Sequence, residues 1–371
     1  MAGGGGAARR APSGAIRWHL MAKDESQSRI LSLDALRGVA AVMVLLYHYT
    51  TRYDELYGHK GSLPFQLTWG YLGVPLFMII SGYVIFMSVD RSRSAMTFAV
   101  SRFGRLFPAF WASCAVTFGV VSVMGLAMRE VPLRDALWNL TMIPVRLGVG
   151  RIDGVYWTLE VELTFYVVIF ACVAMGLGRW SLAPIAAVVV YTLTGRDHLW
   201  GFETHWFALF LIGMTLYDMR RGDRWWHGVL LTLGLGCVAF RHLYREVTDA
   251  PHAGWPYLLA VGAFAAVIAF CSRVRIRPLE LPPLIFLGTI SYALYLVHQN
   301  IGYIVIREAE ARGLSPLAAI GVAATVAIGI ATIITFAIER PANRAVRGLL
   351  KRPSRKAPAA TARVTESATE R

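Results

Sequence analysis

An arginine and a histidine stand eleven residues apart in the otherwise apolar stretch LDALRGVAAVMVLLYH, residues 33–48. At about 100° and 1.5 Å per residue, Arg37 and His48 share one helix face and lie about 16 Å apart. Imidazole takes and returns a proton near neutral pH, and a guanidinium holds carboxylates and phosphates in a rigid fork. Snorkelling toward headgroups would explain Arg37 alone but not His48 at the other end of the stretch. Ionisable groups are costly in a bilayer, so two on one stripe point to function. Four further clusters carry polar chemistry. SRFGRLFPAFW supplies Arg102 and Arg105, with Pro108 read as sitting where a helix starts, a place that tolerates it. VYWTLEVELTFY, residues 155–166, carries Glu160 and Glu162 about 200° apart on a helix, so at most one faces a given site. ISYALYLVHQ, residues 290–299, sets Ser291, Tyr295 and His298 at i, i+4 and i+7, which makes one polar stripe. IERP, residues 338–341, places Glu339 and Arg340 at the end of the last apolar stretch, where Glu339 could pair with a loop arginine.

The elements that must hold these groups are read from composition. The chain has 371 residues, of which 56% are hydrophobic and only 16% charged. A soluble protein carries more charge. Apolar stretches at about 33–51, 70–89, 107–127, 155–176, 181–194, 204–217, 228–240, 255–271, 284–306 and 316–338 predict an all-α, polytopic membrane helix bundle of about ten spans. With the N-terminus inside, 26 of the 37 lysines and arginines fall on cytoplasmic segments, which predicts N-in and C-in. The net charge of +14 therefore reads as membrane orientation, and its spread over separate loops argues against a nucleic-acid partner. Trp69, Trp157, Trp180, Trp206 and Trp255 fall near span ends, as an interfacial belt requires. The domain reading is a disordered cytoplasmic tail over 1–29, one transmembrane domain over 30–347 and a disordered basic tail over 348–371. Met21 is an alternative start, and no apolar region before residue 30 suggests a cleavable signal, so the first span would direct insertion. The four cysteines fall within spans without CxxC spacing, so neither a disulfide nor a metal site is expected. No inverted repeat of the transporter kind is visible.

Together these segments resemble the membrane-bound acyltransferase 3 family, over residues from about Ile30 to Arg347. The first-span signature, an arginine, ten residues and a histidine, is matched by Arg37 and His48. The second-span pattern is similar to GYLGVPLFMIISGYVI, with Ser81 and Gly82 in place, although Pro75 stands where an acidic residue is common. Arg102 and Arg105 match the basic entry to span three. The pattern W-S-L-x-x-E-x-x-F-Y is similar to Trp157, Thr158, Leu159, Glu162, Phe165 and Tyr166, which makes Glu162 the aligned carboxylate. Ser291, Tyr292, Tyr295 and His298 match S-Y-x-x-Y-x-x-H, and Glu339, Arg340 and Pro341 match the closing E-[RK]-P.

The resemblance implies transfer of an acyl group, acetyl above all, from acyl-CoA to a hydroxyl of a surface polysaccharide, a lipid-linked glycan or a secreted glycosylated small molecule such as a macrolide. The topology places Arg37, Arg102, Arg105 and Arg340 on the inner side, where a cationic cluster suits the phosphates of coenzyme A. It places His48, Glu162 and His298 in the outer half. His48 is then the general base, or a nucleophile that forms an acyl-histidine, and Glu162 is expected to hold its tautomer. Ser291, Tyr295, His298, Trp157 and Tyr166 are expected to position the acceptor or the thioester. The expected setting is a multi-pass protein of the bacterial inner (plasma) membrane, with acyl-CoA, a carbohydrate and the bilayer as partners; a homo-oligomer is left open. Two other classes stay open at this point. A proton-coupled transporter would use Arg37, His48 and Glu162 as its path. A scaffold for polysaccharide assembly would not need His48.

Overall fold

The computed structural model describes residues 14–92, 94–196, 198–199, 202–244 and 254–351, with side chains from Leu31 to Arg241 and from Gly254 to Gly348. Helix α1, Gly14–Tyr47, continues through a π turn, His48–Arg52, into the short α2, Tyr53–Tyr57. On α1, Leu33, Leu36, Ala40 and Val44 are buried at intervals of three and four, one apolar stripe facing the core. A 3₁₀ turn over Thr68–Leu72 leads to α3, Gly73–Arg91. Helix α4, Ala95–Met124, is capped by Ser94, whose hydroxyl accepts from the Thr97 N–H at 3.2 Å. Helix α5, Leu133–Asn139, precedes an extended loop that ends at Asp153. Asp153 is fully buried and accepts from the backbone N–H groups of Val155 at 3.2 Å and Asn300 at 3.1 Å, which ties the entry of the next helix to the core. Then come α6, Trp157–Ala174, and α7, Leu182–Leu193. A two-residue antiparallel ladder follows, β1, His198–Leu199, with β2, Phe202–Glu203. The rest is helical: α8, Phe207–Asp218; α9, Trp225–Tyr244; α10, Trp255–Arg273; α11, Pro282–Ala311; and α12, Pro316–Ile333. Helix α12 passes through a second π turn, Ile334–Glu339, into α13, Arg340–Lys351.

The protein is thus an all-α polytopic bundle. Helices occupy all ten expected positions, and among the described residues seven are long and apolar enough to cross a membrane. Helices α7 and α8 have 12 residues each, about 18 Å, against a hydrocarbon core of about 30 Å. Every residue from Phe207 to Leu216 is buried, so α8 is sheathed by protein and not by lipid. Helix α11 is the centre of the bundle, with nearly every side chain from Ile290 to Ile304 buried. A helix buried all round needs neighbours on every face, and α1, α4 and α12 provide them.

Glycine sets the closest approaches. A Cβ on Gly288 would lie 2.0 Å from the Asp34 carbonyl oxygen, and one on Gly38 would lie 2.7 Å from the Gly288 nitrogen, so α1 and α11 cross backbone on backbone. Gly82 and Gly213 do the same for α3 and α8. Pro108 departs from expectation: it lies inside α4, not at its start. The helix begins earlier because Phe98, Leu106, Ala109 and Phe110 continue one buried face through the basic segment. Proline's missing N–H disturbs only one turn of it. The tails expected at 1–29 and 348–371 are described only in part. Helix α1 begins at Gly14 and α13 ends at Lys351, and residues 1–13 and 352–371 lie outside the described residues.

Candidate active site

Helices α1, α3, α4, α6 and α11 line a partly open cavity of about 690 Å³, the solvent at its mouth included. Its polar lining comprises Arg37 from α1, Ser81 from α3, Arg102 and Arg105 from α4, Thr158, Glu162 and Tyr166 from α6, and Ser291, Tyr292 and Tyr295 from α11. Val74, Phe77, Met78, Ile80, Val84, Ile85 and Leu159 form the apolar wall. Among the described residues, Glu162 is the one carboxylate in this lining. Its Oε1 accepts from the Ser81 hydroxyl at 2.7 Å and from the Tyr166 hydroxyl at 2.5 Å. Three guanidiniums therefore face one carboxylate. Behind them stands the buried Glu339, placed by the second π turn within the field of Arg105 and Arg37. Among the described residues, the Arg102 Nε and the Glu339 Oε2 are buried without a hydrogen-bond partner. A cationic lining with an unmet donor is suited to an anionic ligand.

A second polar group sits beyond Tyr295. His48 opens the first π turn, a rare geometry that recurs at functional sites. Its Nδ1 lies 2.9 Å from the Val44 carbonyl oxygen and 3.2 Å from His298 Nε2. His298 Nδ1 lies 2.8 Å from the Tyr295 carbonyl oxygen. Carbonyl oxygens only accept, so each histidine carries its proton on Nδ1. His298 Nε2 is then a lone pair that accepts from His48 Nδ1–H, which is shared with Val44. His48 Nε2 is left as an unprotonated nitrogen with no hydrogen bond among the described residues. The backbone of His298 is held in turn: Tyr49 Oη donates to its carbonyl at 2.8 Å, over the bare backbone of Gly302, where a Cβ would lie 2.2 Å from that hydroxyl.

Tyr295 joins the two groups. Its side chain lines the cavity, its ring centroid is 5.6 Å from that of His298, and Phe77 packs on it at 5.8 Å. Tyr295 Oη donates to the Val155 carbonyl at 3.2 Å and receives the Thr158 hydroxyl at 3.0 Å.

The structure brings Arg37, Arg102, Arg105, Glu162, Tyr166, Ser291 and Tyr295 into one cavity and pairs His48 with His298. Three expectations are corrected. Glu162 does not hold the His48 tautomer: its carboxylate is engaged by Ser81 and Tyr166, and the partner on His48 is His298. The helix phase explains this, because α6 turns Glu162 toward α3 and α4. Arg340 does not line the cavity; it is exposed and stacks over the Phe336 ring at 4.3 Å, because the π turn rotates Glu339 inward in its place. Trp157 faces away from this cavity and packs on Trp206 with centroids 4.9 Å apart. Thr158, the next residue, takes the inward position. As the expected opposition requires, Glu160 lies on the other face of α6, between Arg146 at 2.8 Å and Arg151 at 3.0 Å. Thr158 is legible only as a member of the span-four pattern, and neither Tyr49 nor Gly302 stands out in the sequence. Tyr49 and Gly302 carry neither a charge nor a spacing that separates them from ordinary span residues.

The sequence profile of a family described as an acyltransferase domain matches residues 30–336. Among curated proteins, the chain is similar to the exopolysaccharide production protein ExoZ of Rhizobium meliloti. That match is 28% identical over 301 residues and covers 74% of this chain and 90% of the relative. Nodulation protein 10 of Rhizobium leguminosarum is 31% identical over 183 residues, 44% of this chain and 49% of that protein. The O-acetyl transferase of Shigella phage Sf6 is 28% identical over 216 residues, 50% and 58% respectively. No solved structure matches the chain.

Proposed function

The chain belongs to this acyltransferase family, and on that premise we propose that it carries an acyl group, acetyl being the simplest, from cytoplasmic acyl-CoA to a hydroxyl of a carbohydrate at the outer end of the bundle. The name of the exopolysaccharide relative supports a glycan acceptor, and that of the O-acetyl transferase supports acetyl transfer to an oxygen. The inner cavity fits the donor. Arg37, Arg102 and Arg105 supply cations for its phosphates, Arg102 Nε is an unmet donor, and the apolar wall suits the pantetheine chain. Such a donor, thioester foremost, reaches the Tyr295 level next to the histidine pair.

The observation that carries the reading is the free Nε2 of His48. An acceptor hydroxyl gives its proton to that nitrogen while its oxygen attacks the thioester carbonyl. The C–O bond forms, the tetrahedral adduct collapses, the C–S bond breaks, and the imidazolium returns the proton to the departing thiolate. While His48 is charged, its Nδ1–H donates to the neutral His298 Nε2 and to the Val44 carbonyl, which stabilises the cation and fixes the ring. His298 thus has the orienting part that a carboxylate plays elsewhere. The setting is a multi-pass protein of the plasma membrane.

His48→Ala is expected to lower transfer by about 10²–10⁴-fold, and His48→Gln equally, because an amide keeps the volume but does not cycle a proton. Radiolabelled acetyl transfer by detergent-purified protein reads this directly. Transfer near the wild-type rate in both variants would reject His48 as the base.

A further inference from the structure

A second, partly open cavity lies on the opposite face of α6, at the end of the bundle that carries His48, with a volume of about 660 Å³, the solvent at its mouth included. Its wall is built from three segments: the first turns of α6, the loop that follows α5, and the β1–β2 ladder. Glu160, buried, sits between the Arg146 and Arg151 guanidiniums at 2.8 and 3.0 Å. Arg146 also lies flat over the Phe202 ring, 3.5 Å from its centroid. Trp157 lines the cavity and is backed by Trp206, whose Nε1–H donates to Glu203 at 2.7 Å on the rim. Each guanidinium and carboxylate is thus fixed before any ligand arrives.

The charges cancel, Arg146 and Arg151 against Glu160 and Glu203. A phosphate or a nucleotide would find no excess of cation here, in contrast to the three arginines of the inner cavity. What the wall offers is an indole surface beside alternating fixed donors and acceptors. That is the chemistry for a ring with an apolar C–H face and a rim of hydroxyls, which an uncharged pyranose supplies. We propose that this cavity is a docking subsite for a neutral sugar unit of the acceptor, separate from the unit whose hydroxyl is acylated. The proposal rests on the acyltransferase reading above.

The geometry also sets a length requirement. Trp157 and Thr158 are consecutive, yet Trp157 lines the outer cavity and Thr158 donates to Tyr295 at the inner one. Tyr295 stands beside His298, so the reacting hydroxyl and the outer cavity are separated by at least one helix width, roughly 10 Å. An oligosaccharide can engage both; a monosaccharide engages one. The subsite should therefore favour chains over single sugars through binding and not through the chemical step.

The test uses the full-length protein in nanodiscs with acetyl-CoA. The acceptors are the producing cell's own surface polysaccharide, chemically deacylated, and its mono- and oligosaccharide hydrolysis fragments. Arg151→Ala is expected to raise KM for the oligosaccharide at least about tenfold, the effect of a lost charged hydrogen bond, with kcat and monosaccharide transfer within twofold of wild type. Arg151→Lys should recover part of the loss. Glu203→Ala, at a side chain 46% exposed and so without a folding burden, should raise the same KM. Tryptophan fluorescence titrated with the oligosaccharide gives a readout independent of turnover, and its midpoint should shift in both alanine variants. Unchanged KM and unchanged titration midpoints, or an equal loss on the monosaccharide, would overturn the subsite while leaving the acyltransferase reading intact. Failure of the wild-type protein to acylate any fragment would reject the carbohydrate reading itself and the subsite with it.

Discussion

At the scale of single residues, the decisive facts are which atoms are already engaged. The Val44 and Tyr295 carbonyls choose the tautomers of His48 and His298, and that choice leaves His48 Nε2 with no hydrogen bond among the described residues. His298→Ala removes the lone pair facing His48 Nδ1–H. A hydrogen bond to a charged group contributes about 1.5–3 kcal/mol, so kcat should fall about 10–150-fold while the KM for acyl-CoA holds. The acidic limb of the pH–rate profile should move, since the His48 imidazolium loses a partner; a merely structural role would leave the profile in place. Arg102→Ala should show the opposite split. Loss of a charged phosphate contact should weaken donor binding by about 1.5–3 kcal/mol in calorimetry and leave the His48 chemistry alone. Unchanged donor affinity would return Arg102 to ordinary membrane anchoring. The types and spacing of Arg37, His48, Glu162 and His298 were legible in the sequence because charges are conspicuous in an apolar span. The partner of His48 was not. A histidine–histidine contact 250 residues apart leaves no local pattern, whereas a carboxylate–histidine pairing has a familiar template that proved misleading.

At the scale of elements, close helix crossings hold the site. Arg37 is placed by α1 against α11, and that crossing depends on Gly38 and Gly288. Gly288→Val would drive a side chain into the Asp34 carbonyl and should cost at least about 1–3 kcal/mol, read as a lower melting temperature in detergent. Gly119→Ala in α4 is the matched control: a Cβ there meets nothing within 4 Å, and the melting temperature should hold or rise. Equal melting temperatures for the two variants would remove the crossing as a stabilising contact. Helix positions were readable from apolar runs, but their limits were not. Pro108 suggested a helix start, yet the buried face of Phe98, Leu106 and Phe110 carries α4 through it. The π turns at His48–Arg52 and Ile334–Glu339 were invisible too, because a one-residue slip in helix phase changes no residue type.

At the scale of the whole molecule, the proposed reaction needs a direction across the membrane. Ser62, exposed in the loop after α2, and Arg91, exposed at the end of α3, lie at opposite ends of the bundle. A cysteine at Ser62 should react with an impermeant thiol reagent added to intact cells, and one at Arg91 only after the membrane is opened. The native cysteines described are buried and should give little background. Reversed labelling would invert the scheme and place the arginine cavity on the side without acyl-CoA.

The position of Tyr295 has a further consequence at this scale. A cavity with arginines and a carboxylate at one end and histidines at the other would, if continuous, short-circuit an energised membrane. Tyr295, braced by Thr158, Val155 and Phe77, stands between the two groups, and neither histidine lines the cavity. In this structure the ring therefore separates the inner polar lining from the histidine pair, and the proposed reaction requires the thioester to pass it.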